Sequence, residues 1–149
     1  MDLLPPNSPA ETVAAYVWTI DRRDWDAYAQ LFGDTVYIDY KPSPGLPKGE
    51  RIAASEWVGG AETTFNAIPT THHMLVPVRI TLEGDTEARV IANCVARHFD
   101  PKMEPSVFTQ YMRYDFGLTR EAADELWIID SVIARIEHQD GNAKMLSKG

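Results

Sequence analysis

Two adjacent histidines, His72 and His73, stand near the start of a β-like segment, PTTHHMLVPVRITLEG, that spans residues 69–84. An imidazole gains or loses its proton near neutral pH, so either histidine could act as a general base or acid. Successive side chains of a strand point to opposite faces of a sheet. Only one of the two histidines can therefore face the protein interior.

The apolar pattern of this segment leaves open which histidine faces inward. His72 is in phase with five apolar residues: Met74, Val76, Val78, Ile80 and Leu82. Pro77 disturbs this count, because proline within a strand is usually found at an edge or at a β-bulge. One extra residue near Val76 and Pro77 would reverse the phase of everything before it, and His73 and Leu75 would then join the face of Val78 and Ile80.

A further histidine, His98, ends the apolar face of a β-like segment that runs from Glu87 to Phe99. The other residues of that face are small or aliphatic: Ala88, Val90, Ala92, Cys94 and Ala96. Such side chains suit either close packing under a helix or the wall of a cavity. A histidine on an apolar face is more often a hydrogen-bonded core residue than a catalyst, so both interpretations stay open.

Asp21 lies four residues after Val17 and seven after Ala14, so it continues the apolar stripe of a predicted helix. A carboxylate near the C-terminal end of a helix opposes the helix dipole, and a buried one needs a cationic or hydrogen-bonding partner. The alternative is that Asp21 helps the following turn or meets solvent beside Arg22 and Arg23.

The predicted elements that must position these groups begin with helices. Ser8 fits an N-cap position and Pro9 the first helical position of the first helix. A second helix is predicted from Asp24 to Gly33, and a third over SEWVGGAETTFNAI, which ends at Pro69.

Strands dominate the rest of the sequence. TVYIDY alternates and places Val36, Ile38 and Tyr40 on one face, and the proline- and glycine-rich KPSPGLPKG that follows is predicted to be a loop. Four more strands are predicted over residues 71–84, 87–99, 106–118 and 126–138. Helices followed by a run of antiparallel strands indicate an α+β fold, in which the helices pack on one face of a curved sheet.

Length and charge narrow the classes of partner. We expect residues 1–149 to form a single domain, and the lone Cys94 excludes an internal disulfide. MDLLPPNSP does not resemble a signal peptide, so a cytoplasmic location is the default expectation. The net charge of -8 argues against binding of nucleic acid or anionic membranes, and no apolar run is long enough to span a bilayer. The expected partner is a small neutral or weakly polar molecule, or another protein.

Three sequence segments together resemble scytalone dehydratase and the SnoaL-like branch of the nuclear transport factor 2 superfamily. They are YVWTIDRRDWDAYAQLFGDTVYIDY, THHMLVPVRI and ARHFD. The resemblance extends from about Glu11 to Glu137, and its strongest parts are the aspartate three residues before DW, the IDY strand, and His73 six residues before Arg79. It implies a cone-shaped, strongly curved antiparallel or mixed sheet wrapped around three N-terminal helices, with a pocket at its open end.

The resemblance also implies roles for individual residues. Asp21 and His73 would form a catalytic dyad, His98 would be the second histidine, and Tyr40 would hold a water molecule. The residues implied as pocket lining are Val17, Ile20, Cys94, Phe108, Gln110 and Met112. Scytalone dehydratase has a second tyrosine where this chain has Ile20, so we expect a more apolar pocket with half of the water clamp missing, and a substrate other than scytalone.

These groups predict a cofactor-independent dehydration of a small cyclic or aromatic hydroxy-ketone, with isomerisation or cyclisation as related outcomes. A non-catalytic ligand-binding module is the alternative from another class. No metal is expected, because the resemblance implies none. A homo-oligomer is expected as well, with a trimer favoured over a dimer by resemblance, since four apolar residues cannot all face one small cone: Met74, Val76, Tyr111 and Ile133.

Overall fold

The computed structural model describes residues 6–147, which form three α-helices, six β-strands and a short C-terminal 3-10 helix. The helices are α1 (Pro9–Arg22), α2 (Trp25–Ala29) and α3 (Ala54–Asn66), and the 3-10 helix is Ala143–Ser147. The strands are β1 (Phe32–Lys41), β2 (Lys48–Ala53), β3 (Thr70–Glu83), β4 (Glu87–Phe99), β5 (Val107–Thr119) and β6 (Ile128–Gly141).

The six strands form one mixed sheet in the order β2-β1-β6-β5-β4-β3. β1 and β6 run parallel, and every other neighbouring pair is antiparallel. The sheet curls around the helices without closing, so the predicted α+β, cone-like architecture is confirmed. A curled open sheet encloses space on its concave side, and that is where the candidate site lies.

Helix α1 is the element that packs most deeply against the concave face of the sheet, where it contacts β3 and β4. Ser8 accepts a hydrogen bond from the Glu11 backbone N–H (3.2 Å), as the N-cap prediction requires. The apolar stripe of α1 is buried almost completely through Val13, Tyr16, Val17 and Ile20. Ile20 and Tyr16 are one helical turn apart and share a face, and both reach the cavity described below.

Strand β3 contains the β-bulge that Pro77 suggested. The register with β4 shifts between Pro77 and Arg79, so that Val78 is the extra residue. His73 therefore pairs with Ala96 on the concave face, while His72 is exposed. Because of the bulge, His73 and Leu75 share a face with Ile80 and Leu82. Val78 does not belong to that face.

Three element predictions were wrong in their bounds. α2 ends at Ala29, and Gly33 belongs to β1. α3 begins at Ala54 and ends at Asn66, before Pro69. The predicted loop after β1 ends in a strand, β2, whose residues are almost all exposed. An edge strand with no buried face lacks the alternation by which strands are recognised in sequence. Within residues 6–147, no helix has the length and apolar character needed to cross a membrane.

Candidate active site

A cavity of about 920 Å³ opens on the concave side of the sheet. Its walls come from the three α-helices, the loop between β1 and β2, the six strands and the 3-10 helix. Residues predicted to belong to the site that line it are Ile20, Tyr40, His73, His98, Gln110 and Met112. The volume exceeds that of a one- or two-ring organic molecule, so the cavity can enclose such a ligand.

The imidazole of His73 contacts the carboxylate of Asp21. Nδ1 of His73 lies 2.6 Å from Oδ1 of Asp21, and the backbone N–H of His73 donates to Oδ2 (2.8 Å). Because a carboxylate only accepts, Nδ1 carries the hydrogen, and in the neutral imidazole Nε2 then keeps its lone pair. Asp21 itself lies behind His73, outside the cavity lining, with 12% of its side chain exposed.

Asp21 is held in its charged form. Burial by itself raises the pKa of Asp21. The hydrogen bonds and charge of His73, together with the Thr71 hydrogen bond, lower the pKa by more than burial raises it, so the net pKa lies below its ordinary value. The carboxylate therefore stays ionised at neutral pH and can stabilise an imidazolium at His73.

His98 is buried, with 1% of the residue exposed. Its surroundings do not suit a proton donor. Nδ1 lies 2.9 Å from the backbone carbonyl oxygen of Phe108, which only accepts, so Nδ1 carries the hydrogen. Burial lowers the pKa of His98 to about 4. At neutral pH the ring is uncharged and its Nε2 atom is a hydrogen-bond acceptor.

Four tyrosines line one part of the cavity: Tyr16, Tyr28, Tyr40 and Tyr114. The hydroxyls of Tyr16 and Tyr40 are 2.6 Å apart, and those of Tyr40 and Tyr114 are 3.4 Å apart. Tyr28 accepts a hydrogen bond from Nε1 of Trp57 (3.0 Å). Burial raises the pKa of each phenol, so all four remain protonated and can donate.

These tyrosines bear on the expectation of a more apolar pocket with half of a water clamp missing, because they add hydroxyl groups to the cavity wall. Ile20 does occupy the position before Asp21, but Tyr16, one helical turn earlier on the same face, supplies a hydroxyl at the end of Tyr40. The sequence contained this signal in the four-residue spacing of Tyr16 and Ile20. Tyr114 was not predicted as a site residue, because the sequence of β5 does not show that its hydroxyl lies near Tyr40 on β1.

Three residues predicted to line the pocket do not line the described cavity. Val17 and Cys94 belong to the apolar core between α1 and the sheet, where close packing excludes a ligand. Phe108 packs on His98, with ring centroids 5.5 Å apart, and in a small cluster with Ile68 and Met145. Burial raises the pKa of the Cys94 thiol to about 12, so it is no nucleophile at neutral pH.

The charges around the cavity favour an uncharged ligand over an anionic one. Among the described lining residues, the carboxylates are Glu50 and Glu56, and none is a lysine or arginine. A carboxylate or phosphate on the ligand would meet these two negative charges without a compensating cation. Hydroxyl and carbonyl groups, in contrast, find partners in the tyrosines, Gln110 and the two histidines.

Two residues that no sequence pattern singled out, Thr71 and Arg23, hold Asp21. Thr71, which is 5% exposed, donates its hydroxyl to Oδ1 of Asp21 (2.9 Å). Arg23 donates from Nη1 to the Thr71 oxygen (2.7 Å). The sequence suggests Arg23 only as a neighbour of a solvent-exposed Asp21, whereas its side chain is half-buried against the start of β3.

Together these groups can move a proton. In a neutral His73 ring, Nε2 is a base backed by a carboxylate, and the phenols are donors that can stabilise negative charge on an oxygen. Nε2 of His98 can accept a hydrogen bond from a hydroxyl. An arrangement of base, donors and acceptor around one cavity suits proton abstraction from a carbon next to a carbonyl.

Several solved structures have the same fold as this chain. Kfla4162 protein from Kribbella flavida shares 23% identity and a TM-score of 0.81, over 93% of each chain. A presumed scytalone dehydratase from Novosphingobium aromaticivorans has 20% identity and a TM-score of 0.72, covering 89% of this chain and 84% of that one. The hexachlorocyclohexane dehydrochlorinase LinA-type3 from Novosphingobium barchaimii has 12% identity and a TM-score of 0.69, covering 89% and 86%.

A comparison with curated proteins gave no significant match. The family model of the SnoaL-like domain, however, matches residues 10–133. That range begins in α1 and ends in β6, so it includes Asp21, His73, His98 and the four tyrosines. The chain therefore belongs to the family of SnoaL-like domains, within the nuclear transport factor 2-like superfamily.

Proposed function

We propose that this protein is a cofactor-independent lyase that removes water from a small cyclic or aromatic hydroxy-ketone. The observation that carries the proposal is the 2.6 Å contact between Nδ1 of His73 and Asp21, which leaves Nε2 of His73 free as a base in the cavity wall. Asp21 stabilises the positive charge that His73 acquires when it takes a proton.

The reaction proceeds in two proton movements. Nε2 of His73 takes the proton from the carbon next to the carbonyl, and the electrons of that C–H bond form an enolate. The Tyr40 hydroxyl donates to the enolate oxygen, supported by Tyr16. The enolate then expels the hydroxyl of the next carbon, which takes the proton back from His73 and leaves as water.

His98 accepts a hydrogen bond from the substrate hydroxyl in this scheme and does not act as the acid. Its neutral ring, with the hydrogen fixed on Nδ1 by the Phe108 carbonyl, has no proton to give at Nε2. Holding the hydroxyl at Nε2 of His98 keeps the leaving group beside His73, whose ring centroid is 6.1 Å from that of His98. One histidine thus serves as both base and acid.

Two of the structural neighbours are named for eliminations, one of water and one of hydrogen chloride. Both reactions take a proton from carbon and release a leaving group from the neighbouring carbon. At 20% and 12% identity these neighbours share the fold, and their names support elimination as the reaction class to be tested first.

The test uses 3-hydroxy-1-tetralone, a neutral two-ring β-hydroxy ketone that becomes 1-naphthol when it loses water. We expect the purified protein to form 1-naphthol, followed by its fluorescence, and Asp21→Asn and His73→Gln to abolish most of that activity. The matched control is 4-hydroxy-1-tetralone, whose hydroxyl is one carbon too far from the enolate to be expelled.

Deuterium exchange separates the related outcomes. If His73 is a base, the protein should exchange the C2 hydrogens of 1-tetralone with D₂O, even though this ketone has no leaving group. Exchange without formation of 1-naphthol from the hydroxy-ketone would favour an isomerase or cyclase. Tight binding of both ketones with neither exchange nor elimination would instead identify a ligand-binding module.

A further inference from the structure

The Thr71 hydroxyl lies between a cation and the carboxylate that backs His73. Its oxygen is 2.7 Å from Nη1 of Arg23 and 2.9 Å from Oδ1 of Asp21. A guanidinium can only donate, so the Thr71 oxygen accepts from Arg23. The single hydroxyl hydrogen of Thr71 must therefore point to Asp21, and the direction of both hydrogen bonds is fixed.

Arg23 is held both at the C-terminal end of α1 and at the segment before β3. It is the C-cap of α1 in the left-handed conformation (φ 57°), and its backbone N–H bonds the carbonyls of Ile20 and Thr19. Its guanidinium donates to the carbonyls of Ile20 (2.7 Å) and Ile68 (2.8 Å). The same side chain thus ties the end of α1 to the residues that lead into β3.

The carboxylate of Asp21 is held by three donors as a result. Thr71 and Nδ1 of His73 both donate to Oδ1, and the backbone N–H of His73 donates to Oδ2. Two donors on one oxygen and a third on the other define the plane of the carboxylate. Without the Thr71 hydrogen bond, the Asp21 carboxylate would be oriented by its hydrogen bonds to His73 alone.

We propose that Thr71, held by Arg23, is a positioning residue that fixes the Asp21 carboxylate in the orientation in which it binds Nδ1 of His73. This inference rests on the proposed function only in taking His73 as the base. Neither residue lines the described cavity, so neither contacts the substrate and both act through Asp21.

The titratable and charged groups facing Asp21 are few. Arg23 lies at the end of its own helix, His73 on β3, and Cys94 and His98 on β4. Among the groups that lower the pKa of Asp21, Thr71 acts only by its hydrogen bond, since its hydroxyl carries no charge. A change at Thr71 therefore tests orientation and hydrogen bonding separately from charge.

The experiment compares Thr71→Val, which keeps the shape and removes the hydroxyl, with Thr71→Ser, which keeps the hydroxyl. NMR titration of the ¹³C-labelled Asp21 carboxyl should show a higher pKa in Thr71→Val than in the wild type, and the wild-type value in Thr71→Ser. If 3-hydroxy-1-tetralone is turned over, kcat should fall about tenfold in Thr71→Val with KM unchanged. An unchanged Asp21 pKa in Thr71→Val would overturn the proposal.

A second measurement needs no variant to fold. In the wild type, the Thr71 hydroxyl proton should exchange slowly with water and give its own NMR signal, with a contact to the His73 backbone N–H. A hydroxyl proton that exchanges freely with water would overturn the proposal as well. Since neither NMR measurement involves a substrate, an altered Asp21 in Thr71→Val would support the positioning role even if the wild type eliminated no water.

Discussion

The phenol oxygens of Tyr16 and Tyr40 lie 2.6 Å apart, although one residue belongs to α1 and the other to β1. Tyr40 is also 3.4 Å from Tyr114 on β5, so its hydroxyl is the centre of a three-phenol chain. Burial raises the pKa of Tyr40 well above its ordinary value. A hydroxyl that stays protonated and is polarised by a neighbouring phenol is suited to donate to a developing enolate oxygen.

The first prediction follows from this chain of phenols. Tyr40→Phe should lower kcat for dehydration on the order of 10²-fold, because the donor to the enolate oxygen is lost. Tyr16→Phe should lower it about tenfold, since it removes only the support of Tyr40. Tyr37→Phe removes a hydroxyl from the opposite face of the same strand and should leave kcat unchanged. A Tyr16→Phe protein with wild-type kcat would contradict the supporting role.

The second prediction concerns the Asp21–His73 pair as a unit. Asp21→Asn keeps the shape of the side chain but removes the charge that stabilises the imidazolium, so kcat should drop by a factor on the order of 10² or more, with ligand affinity nearly unchanged. His73→Gln should cost at least as much. The double variant should cost little more than either single change, because neither residue acts without the other. Additive losses would show that the two residues act independently.

The third prediction links His98 to stability against acid. In the unfolded chain His98 takes up a proton near pH 6.5, but in the folded protein only near pH 4. Between these values the unfolded state binds a proton that the folded state excludes, so stability is lost as the pH falls from 6.5 to 4, by about 3 kcal/mol at most. Above pH 6.5, His98 is neutral in both states and does not make the free energy of unfolding depend on pH.

Urea unfolding at pH 7 and pH 4.5 measures this effect. His98→Asn keeps a donor for the Phe108 carbonyl but has no titratable ring, so its free energy of unfolding should depend less on pH than that of the wild type. His72→Asn, on the exposed neighbour, is the matched control and should retain the wild-type pH dependence. Equal pH dependence in His98→Asn and the wild type would show that His98 is not held neutral.

The fourth prediction concerns assembly. Met74, Val95 and Tyr111 are register partners on three neighbouring strands of the outer face, and Met74 and Tyr111 are 48% and 43% exposed. Val76, beside them on edge strand β3, is 60% exposed. An apolar patch of this kind on a sheet face usually marks a protein interface, so we expect a homo-oligomer. The resemblance favours a trimer over a dimer.

Light scattering at micromolar concentration tests the assembly. The combined variant Met74→Lys and Val76→Lys should lower the measured mass to that of one chain while the circular dichroism spectrum stays that of a folded protein. Leu126→Lys is the control, because Leu126 is also exposed (49%) but lies in the loop before β6. A monomeric wild type at this concentration would contradict the prediction.

The sequence by itself determined those features that depend on local spacing. Ser8 and Pro9 define the start of α1, and the alternation of β4 places His98 on the concave face, because both depend on neighbours within a few residues. Pro77 indicated a bulge for the same reason. The α+β class followed from the order of helices and strands.

Beyond the Asp21–His73 pair that the resemblance implied, the tertiary structure decided which polar groups meet. The bulge at Val78 brings His73 to Asp21, 52 residues away, and the curl of the sheet brings Tyr40 to Tyr16 and Tyr114. Thr71 reaches Arg23 across 48 residues of chain. Spacing along a sequence fixes the face on which a side chain lies, but the distance between two faces depends on how the sheet twists and how α1 packs into it. Hence the apolar pattern alone left the base open between His72 and His73, and the resemblance implied His73 with Asp21. The groups that hold Asp21, Thr71 and Arg23, follow only from the fold.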